Sequence, residues 1–198
     1  MKGVGAHGAV PEHTVDATLV ACHITLALQS IVSRNITPFE PAVVTVGSIQ
    51  AGHAPNIIND HVLMKLTVRT LNEQVRETVL QRIHDIAVAQ AESFNATATL
   101  THVNGSPVLR NDPATNAMVR EVATALFGAG QVGEVKPFMG SEDFAFMLEQ
   151  HPHGSYFTIG AGDEPDRCMV HNPGYDFNDA LLLTGAALWC GLTERYLR

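Results

Sequence analysis

Apolar residues recur along the first half of the chain with two different periods. Over residues 14–33, Val15, Leu19, Cys22, Leu26 and Ile31 return at helical spacing, with Thr14 as N-cap and Asp16 in the first turn, where the helix dipole favours an acid. Residues 43–49 and 62–68 are β-branched runs; in the second, Leu63, Lys65 and Thr67 alternate with Val62, Met64, Leu66 and Val68. Asn72 caps a second helix reaching Phe94, with Val75, Val79, Ile83, Ile86 and Gln90 along one face. A short alternating strand over 96–103 closes the region. The order helix–strand–strand–helix–strand is a split βαβ unit lacking only its first strand, of which residues 1–4 read as the stub. Two antiparallel strands with both helices on one face are therefore expected.

A different grammar starts near Pro107. Pro113 sits in the first turn of a helix running to Phe127, on which Ala117, Val119, Val122, Ala123 and Leu126 are apolar. A glycine-rich turn leads to a short strand near 132–135. Residues 141–150 read as a helix with Ser141 as N-cap and Glu142 and Asp143 in the first turn. A buried strand is expected over 156–159, then a loop over 160–167, then a terminal helix from near Asn178 to Tyr196. This half is α/β in type, yet so few strands would leave apolar faces and a sheet edge uncovered without more chain or a partner. Two domains are expected, 1–106 and 107–198.

Composition narrows the function classes. A net charge of −8 without a lysine- or arginine-rich run disfavours nucleic acid and anionic membrane as partners. No continuous apolar run reaches the roughly 18 residues of a membrane span. Cys22, Cys168 and Cys190 lack metal-ligand spacing; Cys22 and Cys190 fall in helical patterns and read as buried free thiols of a reducing cytoplasm.

Candidate chemistry lies in five short motifs. His7 stands in Gly5-Ala6-His7-Gly8-Ala9-Val10-Pro11, Asn56 in Ala54-Pro55-Asn56-Ile57-Ile58, and Arg69 in Thr67-Val68-Arg69-Thr70. Gly140-Ser141-Glu142-Asp143-Phe144 and His171-Asn172-Pro173 complete the set. Neutral imidazole is a common zinc ligand, and a loop histidine followed by Asp176 and Asp179 reads either as such a ligand or as a histidine hydrogen-bonded to one of those carboxylates. Arginine next to a valine-rich strand wants an anionic partner, and its planar fork matches a carboxylate.

Taken in order, these motifs resemble the metal-dependent amidohydrolases that include hippurate hydrolase, N-acyl-amino-acid amidohydrolase and the indole-3-acetyl-amino-acid hydrolases. The resemblance covers essentially the whole chain but only the latter half of that family's pattern. It implies a ferredoxin-like lid domain, its first strand truncated, followed by the C-terminal portion of a zinc-peptidase-like α/β catalytic domain. In that family a metal-activated water attacks an amide carbon, a glutamate takes its proton, and polar donors hold the oxyanion. By resemblance His171 is the last metal ligand, and His7 is a lid histidine that polarises the scissile carbonyl, from the neighbouring subunit in dimeric members. Asn56 and Arg69 hold the oxyanion and the substrate carboxylate, while Glu142 and Asp143 lie near the site without an assigned role. The remaining histidines match no functional position. Asn59 stands where the family more often has proline, which puts the stiffness of the loop after Asn56 in question.

The family's N-terminal motifs, of the type His-Ala-Cys-Gly-His and Pro-Ala-Glu-Glu, have no counterpart here. They carry further metal ligands and the general base, and a catalytic zinc usually takes three protein ligands. The expected function is thus part of a hydrolase cleaving N-acyl amino acids, with Zn, Mn or Co in the complete enzyme. This chain alone is expected to hold metal weakly and to turn nothing over. A homodimer through the lid and a separate N-terminal catalytic chain are the partners the resemblance implies. The other reading that stays open is a non-catalytic lid-plus-tail polypeptide acting in dimerisation or carboxylate binding.

Overall fold

A computed structural model of the chain describes residues 1–103, 105–162 and 167–198, so the loop expected over 160–167 lies partly outside the described residues. The chain forms two compact units, Met1–Val108 and Leu109–Arg198.

In the first unit, β2 (Ala42–Ala51) and β4 (Val62–Thr70) pair antiparallel, with Ala42 opposite Thr70 and Ala51 opposite Val62. The register slips between Val46 and Ser48, where Gly47 makes a bulge. Two helices, α1 (Ala17–Asn35) and α2 (Glu73–Ser93), lie together on one side of this ribbon. Val20, Ile24, Leu28 and Ile31 of α1 meet Val79, Ile83, Ala87 and Ala91 of α2, and Val44, Val46, Met64 and Val68 pack beneath them. Residues 1–4 do run alongside the ribbon: Met1 accepts from the Val62 amide and Lys2 bridges both His61 and Thr97.

Three expectations for this unit change. The first helix starts later, because Val15 is held extended by reciprocal backbone hydrogen bonds with Val4. Asp16 is the N-cap, accepting from Thr18 and Leu19, whereas the Thr14 hydroxyl donates to the Pro11 carbonyl. The buried stripe of α1 is also the other one. Leu19 and Leu26 face outward, Leu26 being 72% exposed, and Cys22 beside them is an exposed thiol. Helix α1 is apolar on both sides, so periodicity alone offered two stripes, and the one with alanines at 17 and 21 allows the closer packing. For the same reason its 19 residues, with mean hydropathy 1.2, do reach the length of a membrane span; its inner face is taken up by the core of this unit. Residues 96–103 make a single bridge at Thr97 rather than a strand.

In the second unit, α3 (Pro113–Phe127) and α5 (Leu181–Tyr196) cross with Val122, Leu188 and Leu192 buried between them. A Cβ on Gly191 would stand 2.9 Å from Val122, so the crossing depends on glycine there. Asp112 caps α3, accepting from both the amide and the hydroxyl of Thr115. A short helix, α4 (Phe144–Gln150), begins at Asp143 rather than Ser141. Cys190 is exposed on α5, not buried. The strands expected at 132–135 and 156–159 are absent among the described residues. A strand needs a neighbour for its amides and carbonyls, and here Asn111 takes that part: its carboxamide accepts from Tyr156 N–H and donates to Tyr156 C=O, both at 2.8 Å.

Candidate functional site

The decisive local structure is a small ladder at one end of the first unit. Strand β1 (Ala6–His7) pairs antiparallel with β3 (Ile57–Ile58), matching Ala6 to Ile58 and His7 to Ile57. The Gly8 amide then donates to the Asn56 carbonyl at 2.8 Å, so His7 and Asn56, forty-nine positions apart, become neighbours. Gly8 is needed for that approach, since a Cβ there would sit 3.3 Å from the same oxygen. The backbone around His7 is fully used: Gly8 N–H bonds Asn56, Val10 N–H bonds the His7 carbonyl at 3.0 Å, and Ala9 N–H bonds His7 Nδ1 at 3.1 Å. The His7 ring itself remains exposed.

Asn59, where the family more often has proline, is tied into its loop by hydrogen bonds. The Asn59 side-chain amide donates to the His61 carbonyl, and the Asn59 backbone carbonyl accepts from the Ala17 amide at the start of α1. Asp60 accepts from Gly3 through its carbonyl, and its carboxylate meets His61 Nδ1 at 2.6 Å, which holds the Asp60 carboxyl below the usual range. An open cavity of about 580 Å³ adjoins this loop, lined by Gly8, Asp16, Gly52, His53, Pro55 and Ile57 among others.

Arg69 is not brought to this cluster within one chain. It lies next to last in β4, half-buried and opposite Val43, where β2 begins. The His7–Asn56 ladder lies beyond Val62, where β4 starts. Arg69 is seven residue steps beyond Val62, about 23 Å at ~3.3 Å per step.

The remaining candidates belong to the second unit. Glu142 accepts from the Phe144 amide at 3.2 Å and from the Tyr156 hydroxyl; these two contacts, the amide foremost, hold its carboxyl below the usual range. The same carboxylate pushes the Tyr156 phenol up. Tyr156 was not marked by any sequence signal beyond its place in a short apolar run. Asp143 opens α4 without a side-chain cap of its own. His171 occupies the left-handed region at φ +69°, in a turn closed by Asn172, whose side chain accepts from Gly174 at 2.8 Å. Such a conformation is uncommon outside glycine and tends to mark functional loops. The His171 ring bonds neither Asp176 nor Asp179. No three His, Cys, Asp or Glu side chains among the described residues come together as a metal site.

Comparison with known proteins decides the lineage. Residues 3–195 match the peptidase family M20/M25/M40. The chain belongs to that family. It is 35% identical over 197 residues to the hippurate hydrolase of Campylobacter jejuni, covering 99% of this chain and 50% of that enzyme. Among solved structures it resembles one named for an aminohydrolase of methicillin-resistant Staphylococcus aureus, with TM-score 0.82, 29% identity and coverage of 100% of this chain and 51% of that one. It also resembles the YXEP protein of Bacillus subtilis, a dinuclear metal-binding peptidase of the M20 family, at TM-score 0.67 and 24% identity over 96% of this chain and 47% of that one. The M20 chain thus spans about half the length of the relatives it matches. Its first unit is an M20 lid, and M20 enzymes are generally metal-dependent hydrolases.

Proposed function

We propose that this chain carries the lid and the C-terminal catalytic portion of an M20 amidohydrolase that splits N-acyl amino acids into a carboxylate and an amino acid. The observation that carries the reading is the β1–β3 ladder, which brings the His7–Gly8 backbone against Asn56 at an exposed end of the lid. Neutral donors supplied from one end of the lid suit a developing oxyanion. His171, on its left-handed turn, is the ligand this chain would give to a divalent metal held together with residues it does not supply. Such a metal would polarise the amide and activate water. Leu182, Leu183 and Trp189 of α5 stay exposed, Leu183 by 84%, and we read that face as the seat of the rest of the catalytic domain.

The separation of Arg69 from His7 points to a site shared between two copies. Strand β2 has β4 as its sole strand neighbour among the described residues, and its ten residues include no charge. A long uncharged edge invites a second strand. The outward α1 stripe of Leu19, Cys22 and Leu26 is also uncharged, and α1 packs against β2. Antiparallel pairing of two β2 edges about a twofold axis puts the Ala42 end of one lid beside the Ala51 end of the other. Arg69 then lies two strand spacings, about 10 Å, from the strand leading into the partner's Asn56 loop. Within this reading Arg69 grips the substrate carboxylate while His7 and Asn56 of the opposite lid face its acyl carbonyl. The free thiols suit a reducing cytoplasm.

The test is hydrolysis of hippurate by this chain, alone and mixed with an N-terminal catalytic half from an M20 relative. We expect turnover only in the mixture. In the active mixture His171→Ala should lower metal content, and His7→Ala should lower kcat with the metal retained. A mixture that assembles and binds metal but hydrolyses no N-acyl amino acid would return the chain to a binding role.

A further inference from the structure

We infer that the backbone amide of Ala9 sets the tautomer of His7, so that the ring meets a ligand as a neutral Nε2–H donor and not as a base. The inference deepens the proposed role of His7 and rests on that reading for its functional part only. Its geometry is contained in one turn. The Val10 amide closes the turn on the His7 carbonyl, the Gly8 amide is spent on Asn56, and Pro11 has no amide to offer. That leaves the Ala9 N–H inside the turn, and it donates to His7 Nδ1 at 3.1 Å.

A ring nitrogen that accepts a hydrogen bond carries no proton, and a neutral imidazole has only one. The proton is therefore on Nε2, the nitrogen directed away from the turn. A ring fixed this way can donate to a carbonyl or oxyanion oxygen through Nε2, but it cannot take a proton there without first losing the one it holds. The turn thus chooses between the two chemical roles a lid histidine could play. Ala9 acts through its main chain, which is why no side-chain pattern announces it. It is a positioning residue.

The experiment is nitrogen-15 NMR of the labelled 198-residue chain, recorded at alkaline pH so that the neutral ring is observed. The His7 signals should show Nδ1 as an unprotonated acceptor and Nε2 as protonated, with a scalar coupling across the hydrogen bond from Ala9 N to His7 Nδ1. A protonated Nδ1, or no such coupling, would overturn the inference without any variant. Ala9→Pro removes the donor and should shift His7 toward a mixture of tautomers, whereas Ala9→Gly keeps the donor and should leave the pattern intact. An unchanged His7 pattern in a folded Ala9→Pro chain would also overturn it. In the complete enzyme Ala9→Pro should reduce kcat by about two- to tenfold, the range of one hydrogen bond, with metal content unchanged. A confirmed tautomer with undiminished kcat would sink the functional part and leave the turn chemistry standing, while the role of His7 itself stands or falls with His7→Ala.

Discussion

Two inactive variants of this chain should repair each other when mixed. Within one lid, Arg69 stands about 23 Å along the strand from Val62, beyond which the His7–Asn56 ladder lies, too far for both to touch one small substrate. Across paired β2 edges, Arg69 comes to about two strand spacings, ~10 Å, from the strand leading into the partner's Asn56 loop, a gap that an arginine and a small ligand can bridge. If each site takes Arg69 from one subunit and His7 from the other, a heterodimer of Arg69→Ala with His7→Ala contains one site with both lesions and one with neither. Random assortment of equal amounts makes half the dimers mixed, and half of their sites intact, so activity should recover to about one quarter of wild type. The assay is hippurate hydrolysis with the N-terminal half supplied, after refolding differently tagged variants together and confirming heterodimers by double-tag capture. Each parent alone should be strongly impaired: loss of a charge-assisted hydrogen bond costs roughly 1.5–3 kcal/mol, tenfold or more. Captured heterodimers with no activity above that of their parents would refute the shared site. Both residues would then have to act from one chain, against the register of β4.

Other expectations follow from the same packing. Leu28→Ala, in the core between α1 and α2, should cost about 2–5 kcal/mol by chemical denaturation, whereas Leu26→Ala, two residues away but outward, should stay within about 0.5 kcal/mol and instead weaken self-association in sedimentation. Asp16→Ala removes an acceptor shared by two amides and should destabilise the first unit by about 1 kcal/mol, with Asp16→Asn milder. The Asp112 carboxyl is held low, first by the Thr115 amide and then by its hydroxyl. Its folded value therefore lies below the unfolded one of ~3.9. Its contribution is complete above that value and is lost as pH falls through the folded one. Asp112→Ala should lower the Tm at neutral pH and flatten its decline in acid.

Much of the lid was legible because its signals agree with one another. The β-branched runs around Val44 and Val68, the Asn72 cap and the stripe through Val79 and Ile83 all specify the same helix-on-ribbon layer. Helix α1 was legible as a helix but not as to its buried side, since Leu19–Leu26 and Val20–Ile24–Leu28 are equally apolar. The second unit was harder, because strands such as 156–159 are defined by neighbours as much as by their own residues. In the candidate site, motif order pointed to His7 and Asn56 as functional, yet their adjacency depends on a ladder of only two residues per strand. The Ala9 amide, the Glu142–Tyr156 contact and the left-handed His171 are properties of backbone and partner, to which residue types give little access.

The carboxamide of Asn111 that stands in for a strand beside Tyr156 has a consequence for how this protein ages. Loss of ammonia from Asn111 yields an aspartate, which keeps the acceptor for the Tyr156 amide but turns the donor into a second oxygen facing the Tyr156 carbonyl. One rung would become half a rung with two oxygens opposed. Because the Tyr156 hydroxyl also reaches Glu142, that slow covalent change would loosen the segment in front of α4 without altering any candidate site residue. The change would leave the residues of every motif as they are and show only in the contacts around Tyr156.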